Sequence, residues 1–179
     1  VDNSLFEILN TPKDSCIKWF AKHHTSSAKI GFDPRMHRVA WKKQTEKQLG
    51  SNYHLIVINE NPIDLYWIDR PHPCSDKAQL LDEKYTGKSS MEKRDTLGNV
   101  IVKNKCDAVF ITQLDSIAWL LNIRGNDVPC NPVLLCHGLL NANGSFDLFI
   151  DKNKIPNRFY NHVGPNVSVY TTAEIKIQL

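Results

Sequence analysis

The sequence has no apolar run approaching the roughly 18 to 20 residues that a membrane helix requires, which argues against a helical membrane protein. The glycine spacings GxGxxG and GxxxxGKS are missing, which disfavours a nicotinamide or nucleotide enzyme. GxSxG, the nucleophile elbow of many hydrolases, is missing too. Neither sign of charge dominates. The 22 Lys and Arg face 19 Asp and Glu, for a net charge of +3, and basic residues alternate with acidic ones. No basic stripe is left to track nucleic acid. Cysteine is too scarce and too odd in number, at five, for an even disulfide framework. Cys16, Cys106 and Cys136 lie in apolar runs, where a free thiol acts as a small hydrophobe. A reducing compartment and a cytoplasmic location are expected. There is also no initiator Met, and the chain opens in polar sequence at Val1-Asp2-Asn3-Ser4, so a piece of a longer protein is expected.

What is present reads as one ordinary globular domain with an appendage. The chain has 179 residues, 41% of them hydrophobic and 23% charged, which is close to globular averages. Thr11-Pro12 resembles a helix start, followed by Ile17, Phe20 and Ala21 at helical spacing. Lys29 to Asp33 reads as a short buried strand. Pro34 opens a second helix that Gly50 closes. Tyr53 to Asn59 is a β-branched strand, and Ile63 to Ile68 a short apolar run. Arg70-Pro71-His72-Pro73-Cys74 is a stiff extended loop, because its two prolines remove donors and block helix.

Ser89 with Glu92 predicts a capping box on a long helix, in whose interior Gly98 is out of place. Cys106 to Thr112 reads as a buried strand, and a short helix runs through Trp119-Leu120-Leu121. Val133 to Leu140 and Phe146 to Asp151 read as strands joined by Asn141-Ala142-Asn143-Gly144, the strongest hairpin signal in the chain. A helix after Pro156, a strand at Val167 to Tyr170 and a terminal helix follow. Alternating strands and helices with one antiparallel hairpin predict a three-layer α/β/α domain with a mixed β-sheet. Residues 28–179 are expected to form that domain, with residues 1–27 the end of a preceding domain and a connecting helix.

Chemistry is harder to find. His72-Pro73-Cys74, Cys136-His137 and His23-His24 are the close Cys and His pairs, and none has the CxxC or HxxxH spacing that places two ligands on one tetrahedral ion. Cys136 could be a nucleophile beside a His, but its run Val133-Leu134-Leu135-Cys136 reads as buried structure. Asp64, Asp69, Asp107, Asp115 and Asp127 fall near strand ends, where a magnesium-dependent nuclease is conceivable and turn or helix capping is the plainer role. Two segments combine large aromatics with charge: Asp64-Leu65-Tyr66-Trp67-Ile68-Asp69-Arg70-Pro71 and Leu114 to Pro129. Trp and Arg are typical of interface hot spots. The plainer reading makes Trp119 a packing anchor and Arg124 the partner of a loop carboxylate. Trp67, Asp69, Arg70, Trp119, Arg124 and Asp127 are the candidate interface or pocket-lip residues. No catalytic and no metal-ligating residue is expected.

These same segments resemble the Xaa-Pro aminopeptidases. The resemblance is carried by Gly31-Phe32-Asp33-Pro34-Arg35, by Asp64 to Pro71, by Tyr85-Thr86-Gly87 with Glu92-Lys93-Arg94, and by Leu114-Asp115-Ser116-Ile117-Ala118-Trp119-Leu120-Leu121-Asn122-Ile123-Arg124-Gly125-Asn126-Asp127-Val128-Pro129-Cys130-Asn131-Pro132. It runs from about Thr11 to Ile155. Cys130 and Cys136-His137 depart from the usual pattern. The resemblance implies a noncatalytic, ribonuclease-H-like domain of the creatinase N-terminal type. It implies a parent that removes an N-terminal residue before proline, using two divalent metals, usually manganese. The two Asp, one His and two Glu that hold them belong to a pita-bread catalytic domain absent here. The implied role is to support dimerisation and limit access to that active site. The implied partners are the parent's own catalytic domain and a second copy, with Xaa-Pro peptides bound only by the whole protein. An alternative is a peptidase-like binding module, as in the histone chaperone FACT.

Overall fold

The computed structural model describes residues 2–11, 13–24 and 26–179. The backbone separates into two compact units, Val1–Pro71 and His72–Leu179. This division falls at the proline-rich loop, whereas the boundary expected from sequence lay near residue 27. Pro12, read as a helix start, lies outside the described residues.

In the first unit, α1 (Cys16–His23) begins at Ser15, whose hydroxyl accepts the Lys18 N–H. It is followed by β1 (Ala28–Phe32), a 3-10 turn at Pro34–Met36, α2 (Val39–Leu49), β2 (Tyr53–Val57) and α3 (Pro62–Tyr66). The expected second helix is therefore split. Asp33 caps the turn after Pro34, and His37 and Arg38 are extended before α2 starts. Gly50 ends α2 at φ +73°, a conformation that L side chains rarely adopt. β1 and β2 pair in parallel, Ala28 against Tyr53 through Phe32 against Val57. The apolar run after Pro62 is helical because Asn61 accepts the Ile63 N–H and Pro62 occupies the first turn. Burial is thin here. Phe32 and Leu49 are the buried apolar side chains among the described residues of this unit, while Ile56 and Val57 on β2 are exposed.

The second unit contains β3 (Gln79–Leu80), α4 (Glu83–Thr86), α5 (Ser90–Lys103), β4 (Ala108–Ile111), α6 (Leu114–Leu121), β5 (Ile123–Arg124), β6 (His137–Asn141), β7 (Phe146–Phe149), α7 (Phe159–Val163), β8 (Val167–Tyr170) and α8 (Ile175–Gln178). Its main sheet has the order β4-β6-β7-β8, antiparallel except for the parallel β7–β8 pair. β3 and β5 form a small antiparallel ladder. The fold is mixed α/β with a mixed sheet, as the alternation of elements predicts. The hairpin turns through Gly144 at φ +79°. The capping box forms in full: Ser89 accepts the Glu92 N–H, and Glu92 accepts the Ser89 N–H at 2.8 Å. Gly98 has its reason in packing, since a Cβ there would lie 2.7 Å from the Ala142 carbonyl oxygen. The core joins Leu140, Phe146 and Leu148 of the sheet to Ile101, Ile117 and Leu121 of the helices. Rings of Phe110, His137, Phe149 and Tyr170 make a row of stacked or tilted pairs across the sheet.

Cysteine burial follows sequence only at Cys136. Cys16 and Cys106 are exposed despite their apolar neighbours: Cys16 opens α1, which buries no residue, and Cys106 lies in the connection between α5 and β4. Cys136 is buried, and desolvation pushes its thiol up to about 12. Burial keeps the thiol protonated at neutral pH, which favours the packing role over a nucleophilic one.

Candidate functional site

The six candidate residues divide between the units. Trp67, Asp69 and Arg70 lie in the first, and Trp119, Arg124 and Asp127 in the second.

The first unit carries a charge ladder at the carboxyl ends of its two parallel strands. Asp33 follows β1 directly. Its carboxylate accepts the Arg35 backbone N–H at 2.9 Å, Arg35 Nε at 3.1 Å and Nη2 at 2.8 Å, and Asn61 Nδ2 at 3.1 Å. Those hydrogen bonds, the Arg35 side chain foremost, hold its carboxyl well below the usual carboxylate range. Asp64 continues the ladder, 3.6 Å from Arg35 and 2.7 Å from Arg70. The Arg70 guanidinium lies 5.3 Å from the centroid of the half-exposed Trp67 ring. A cleft of about 430 Å³ opens among Asp33, Arg35, Asn61, Asp64, Trp67 and Arg70. Ligands favour this end of a parallel sheet. Here, however, two carboxylates balance two guanidiniums, so the cleft has no net charge with which to select an ion. Asp69 takes part in no hydrogen bond or ion pair among the described residues. Beside the ladder, Met36, Ile63, Leu65, Tyr66 and Ile68 are all exposed. Exposed apolar side chains grouped next to Arg and Trp are typical of an interaction surface.

The second unit gathers cations around the C-terminus of α6. Asn122 ends that helix in the left-handed conformation, at φ 54°. Its side-chain oxygen accepts Lys93 Nζ at 2.5 Å, and its amide donates to the Lys88 carbonyl at 2.9 Å. Lys93 also donates to the Trp119 carbonyl at 2.9 Å and sits 4.4 Å from the centroid of the Trp119 ring. Arg124 donates to the carbonyls of Ala118 and Ile123. Two cations thus add to the Asn122 N–H on the Ala118 and Trp119 carbonyls of one helix end, where the dipole favours positive charge. Burial, and secondarily Arg124, lower the Lys93 pKa. The expected carboxylate partner of Arg124 is not what the structure shows: its Nη1 donates to the Ala118 carbonyl of α6 and to the Ile123 carbonyl of β5. Asp127 pairs with Lys154 at 2.5 Å, and both side chains are buried. It also accepts the Leu135 N–H at 2.7 Å.

Trp119 differs from the plainer expectation of a packing anchor. It remains 50% exposed, because Ile117, Ala118, Leu120 and Leu121 occupy the buried face of α6 and Trp119 falls outside their arc. Sequence reasoning missed Lys93, Arg94 and Lys154 as buried cations. Arg94 donates to the carbonyls of Gly144, Val163 and Pro165 and meets no carboxylate. No local pattern marks such a residue, since its partners lie 50 to 71 positions away. The Asp33-Pro34-Arg35 motif did carry a signal, as Asp before Pro is a common turn initiator.

Among the described residues, no group of three His, Cys, Asp or Glu is placed to hold a metal ion. No described helix is long and apolar enough to cross a membrane.

A four-stranded mixed sheet flanked by helices, with cations gathered at the end of one of them, defines a mixed α/β domain. Comparison with known proteins places it. The sequence model of the Creatinase/Prolidase N-terminal domain matches residues 69–179, and the chain belongs to that family. Its relatives include a probable Xaa-Pro aminopeptidase P of Ajellomyces capsulatus (strain H143), 35% identical over 156 residues, covering 85% of this chain and 24% of that protein. Another is the Xaa-Pro aminopeptidase app-1 of Caenorhabditis elegans, 32% identical and covering 89% of this chain and 26% of that protein. A crystal structure of an X-prolyl aminopeptidase from Caenorhabditis elegans, described as a cytosolic enzyme with a di-nuclear active site, superposes with a TM-score of 0.80 at 28% identity. It covers 95% of this chain and 28% of that one. The chain therefore spans about a quarter of the length of these relatives.

Proposed function

We propose that this chain is a noncatalytic domain of a Xaa-Pro aminopeptidase, a metallopeptidase that removes an N-terminal residue preceding proline. The observation that carries this reading is the coverage. Nearly all of the chain superposes on about a quarter of an X-prolyl aminopeptidase, and the family matched is an N-terminal domain family. The parent is a cytoplasmic enzyme that holds two divalent ions, manganese by family resemblance. The residues described here do not form a ligand set for such ions, so no chemical step is assigned to them.

The chain's own contribution is surface. Trp67 and Arg70 in one unit and Trp119 and Arg124 in the other face the parent's catalytic domain or a second copy. They support dimerisation and limit access to the active site. The creatinase N-terminal-type domain spans residues 28–179 and residues 1–27 end a preceding domain; the family match over residues 69–179 supports the C-terminal part of that span. The long shared motif from Leu114 to Pro132 favours an active peptidase over a FACT-like binding module.

Extending the reading frame past Leu179 tests this. The extended protein should carry an Asp, Asp, His, Glu, Glu ligand set and cleave Xaa-Pro peptides in manganese. A downstream sequence without that set, or an extended protein that binds histones and cleaves nothing, overturns the proposal in favour of the binding module.

A further inference from the structure

We propose that the groove between α5 and α6 is the docking site for a polypeptide segment that presents an apolar side chain beside a basic one. The proposal rests on the reading of Trp119 as an interface residue. The groove is lined by Leu97, Ile111, Asp115, Ser116, Trp119 and Leu120 and encloses about 310 Å³. That volume is at the lower end for ligand pockets. It is large enough to take an inserted side chain. Its lining is largely aliphatic and aromatic, so an apolar group gains from leaving water there.

Two features narrow the occupant. The Trp119 wall is backed by a contact within the chain, because the Lys93 ammonium lies against its ring and donates to its carbonyl. Such backing lowers the ordering cost of association. The polar group at the lip is the exposed carboxylate of Asp115, which accepts the N–H of Ser116 and has no basic side chain within ion-pair distance among the described residues. Lys93 is engaged by Trp119 and Asn122 and does not neutralise it. A basic residue next to the inserted side chain completes that carboxylate, and an acidic one is repelled.

Proton–nitrogen correlation spectra of the 179-residue chain, titrated with the dipeptide amide Ac-Leu-Arg-NH2, test this. The Trp119 indole N–H and the amides of Leu97 and Leu120 should shift and saturate. Asp115→Asn, an exposed change that leaves the fold intact, should weaken binding by about three- to fivefold, the scale of a solvent-exposed ion pair. Ac-Leu-Glu-NH2 and Ac-Gly-Arg-NH2 should bind more weakly than the first probe. Lack of a saturable shift, equal binding of the acidic probe, or indifference to Asp115→Asn overturns the proposal. So does a shift of the same resonances with protein concentration alone, which would assign the groove to a second copy. If no probe binds while Trp119→Ala lowers activity of the extended protein, the groove proposal fails and the interface reading stands.

Discussion

The two units use similar residue types to different ends. Residues 72–179 bury whole side chains around a four-stranded sheet, and Phe146, Phe149, Phe159, Ile117 and Leu121 are fully enclosed. Residues 1–71 pair two parallel strands and leave much of their apolar surface open, with Ile56, Val57, Ile63 and Ile68 exposed. Parallel strands are normally covered on both faces. Charge follows the same division. The second unit buries Lys93, Arg94 and Lys154 against carbonyl, amide and carboxylate oxygens, with Arg94 Nε left without a partner among the described residues, whereas the first strings its Asp and Arg groups along a half-open cleft. Stability in one unit comes from enclosure, and in the other from local hydrogen bonds and capping.

Paired substitutions sharpen this contrast. The largest effect should come from Phe146→Ala, which removes a fully buried ring and should lower unfolding free energy by about 3 to 5 kcal/mol in denaturant titration. Ile56→Ala on exposed β2 should change it by less than about 1 kcal/mol. Comparable losses at both sites would erase the distinction.

Next is Asp127→Asn. It leaves the buried Lys154 ammonium without its anion and should destabilise the second unit by about 3 kcal/mol. A loss below about 1 kcal/mol would mean that the pair is solvated.

Cys136 gives a pH test. Its thiol is raised from 9.0 to about 12 in the fold. Below pH 9 folded and unfolded chains both keep the proton, and the stabilisation is fully present. As pH rises from 9 toward 12 the unfolded chain loses the proton first, so stability falls, by up to about 1.4 kcal/mol per pH unit. Cys136→Ala should remove that part of the slope. An unchanged slope would show the thiol to be exposed.

The smallest effect belongs to the ladder. Asp64→Asn should cost under about 1 kcal/mol, because its partners Arg35 and Arg70 are more than half exposed.

Legibility in the sequence varied in the same way as the packing. Ser89 with Glu92, the Asn143-Gly144 turn and the Gly50 cap were readable because each acts within a few residues. The alternation that gives a mixed α/β fold was equally local. Val133 to Leu135 looked like strand but lies outside β6, since the ladder with β7 begins only at His137. The helix at Pro62 was hidden in a short apolar run, where strand and helix patterns coincide. Of the candidate site, Trp67 with Arg70 was legible from adjacency. Lys93 beneath Trp119 was not, because that contact spans 26 positions.

The central functional claim is that this chain serves a Xaa-Pro aminopeptidase without doing its chemistry. Purified 179-residue protein should be incubated with a Xaa-Pro peptide, with and without manganese, and release of the N-terminal residue followed. The account predicts no release above background under either condition. Robust manganese-dependent release by this chain alone would contradict it.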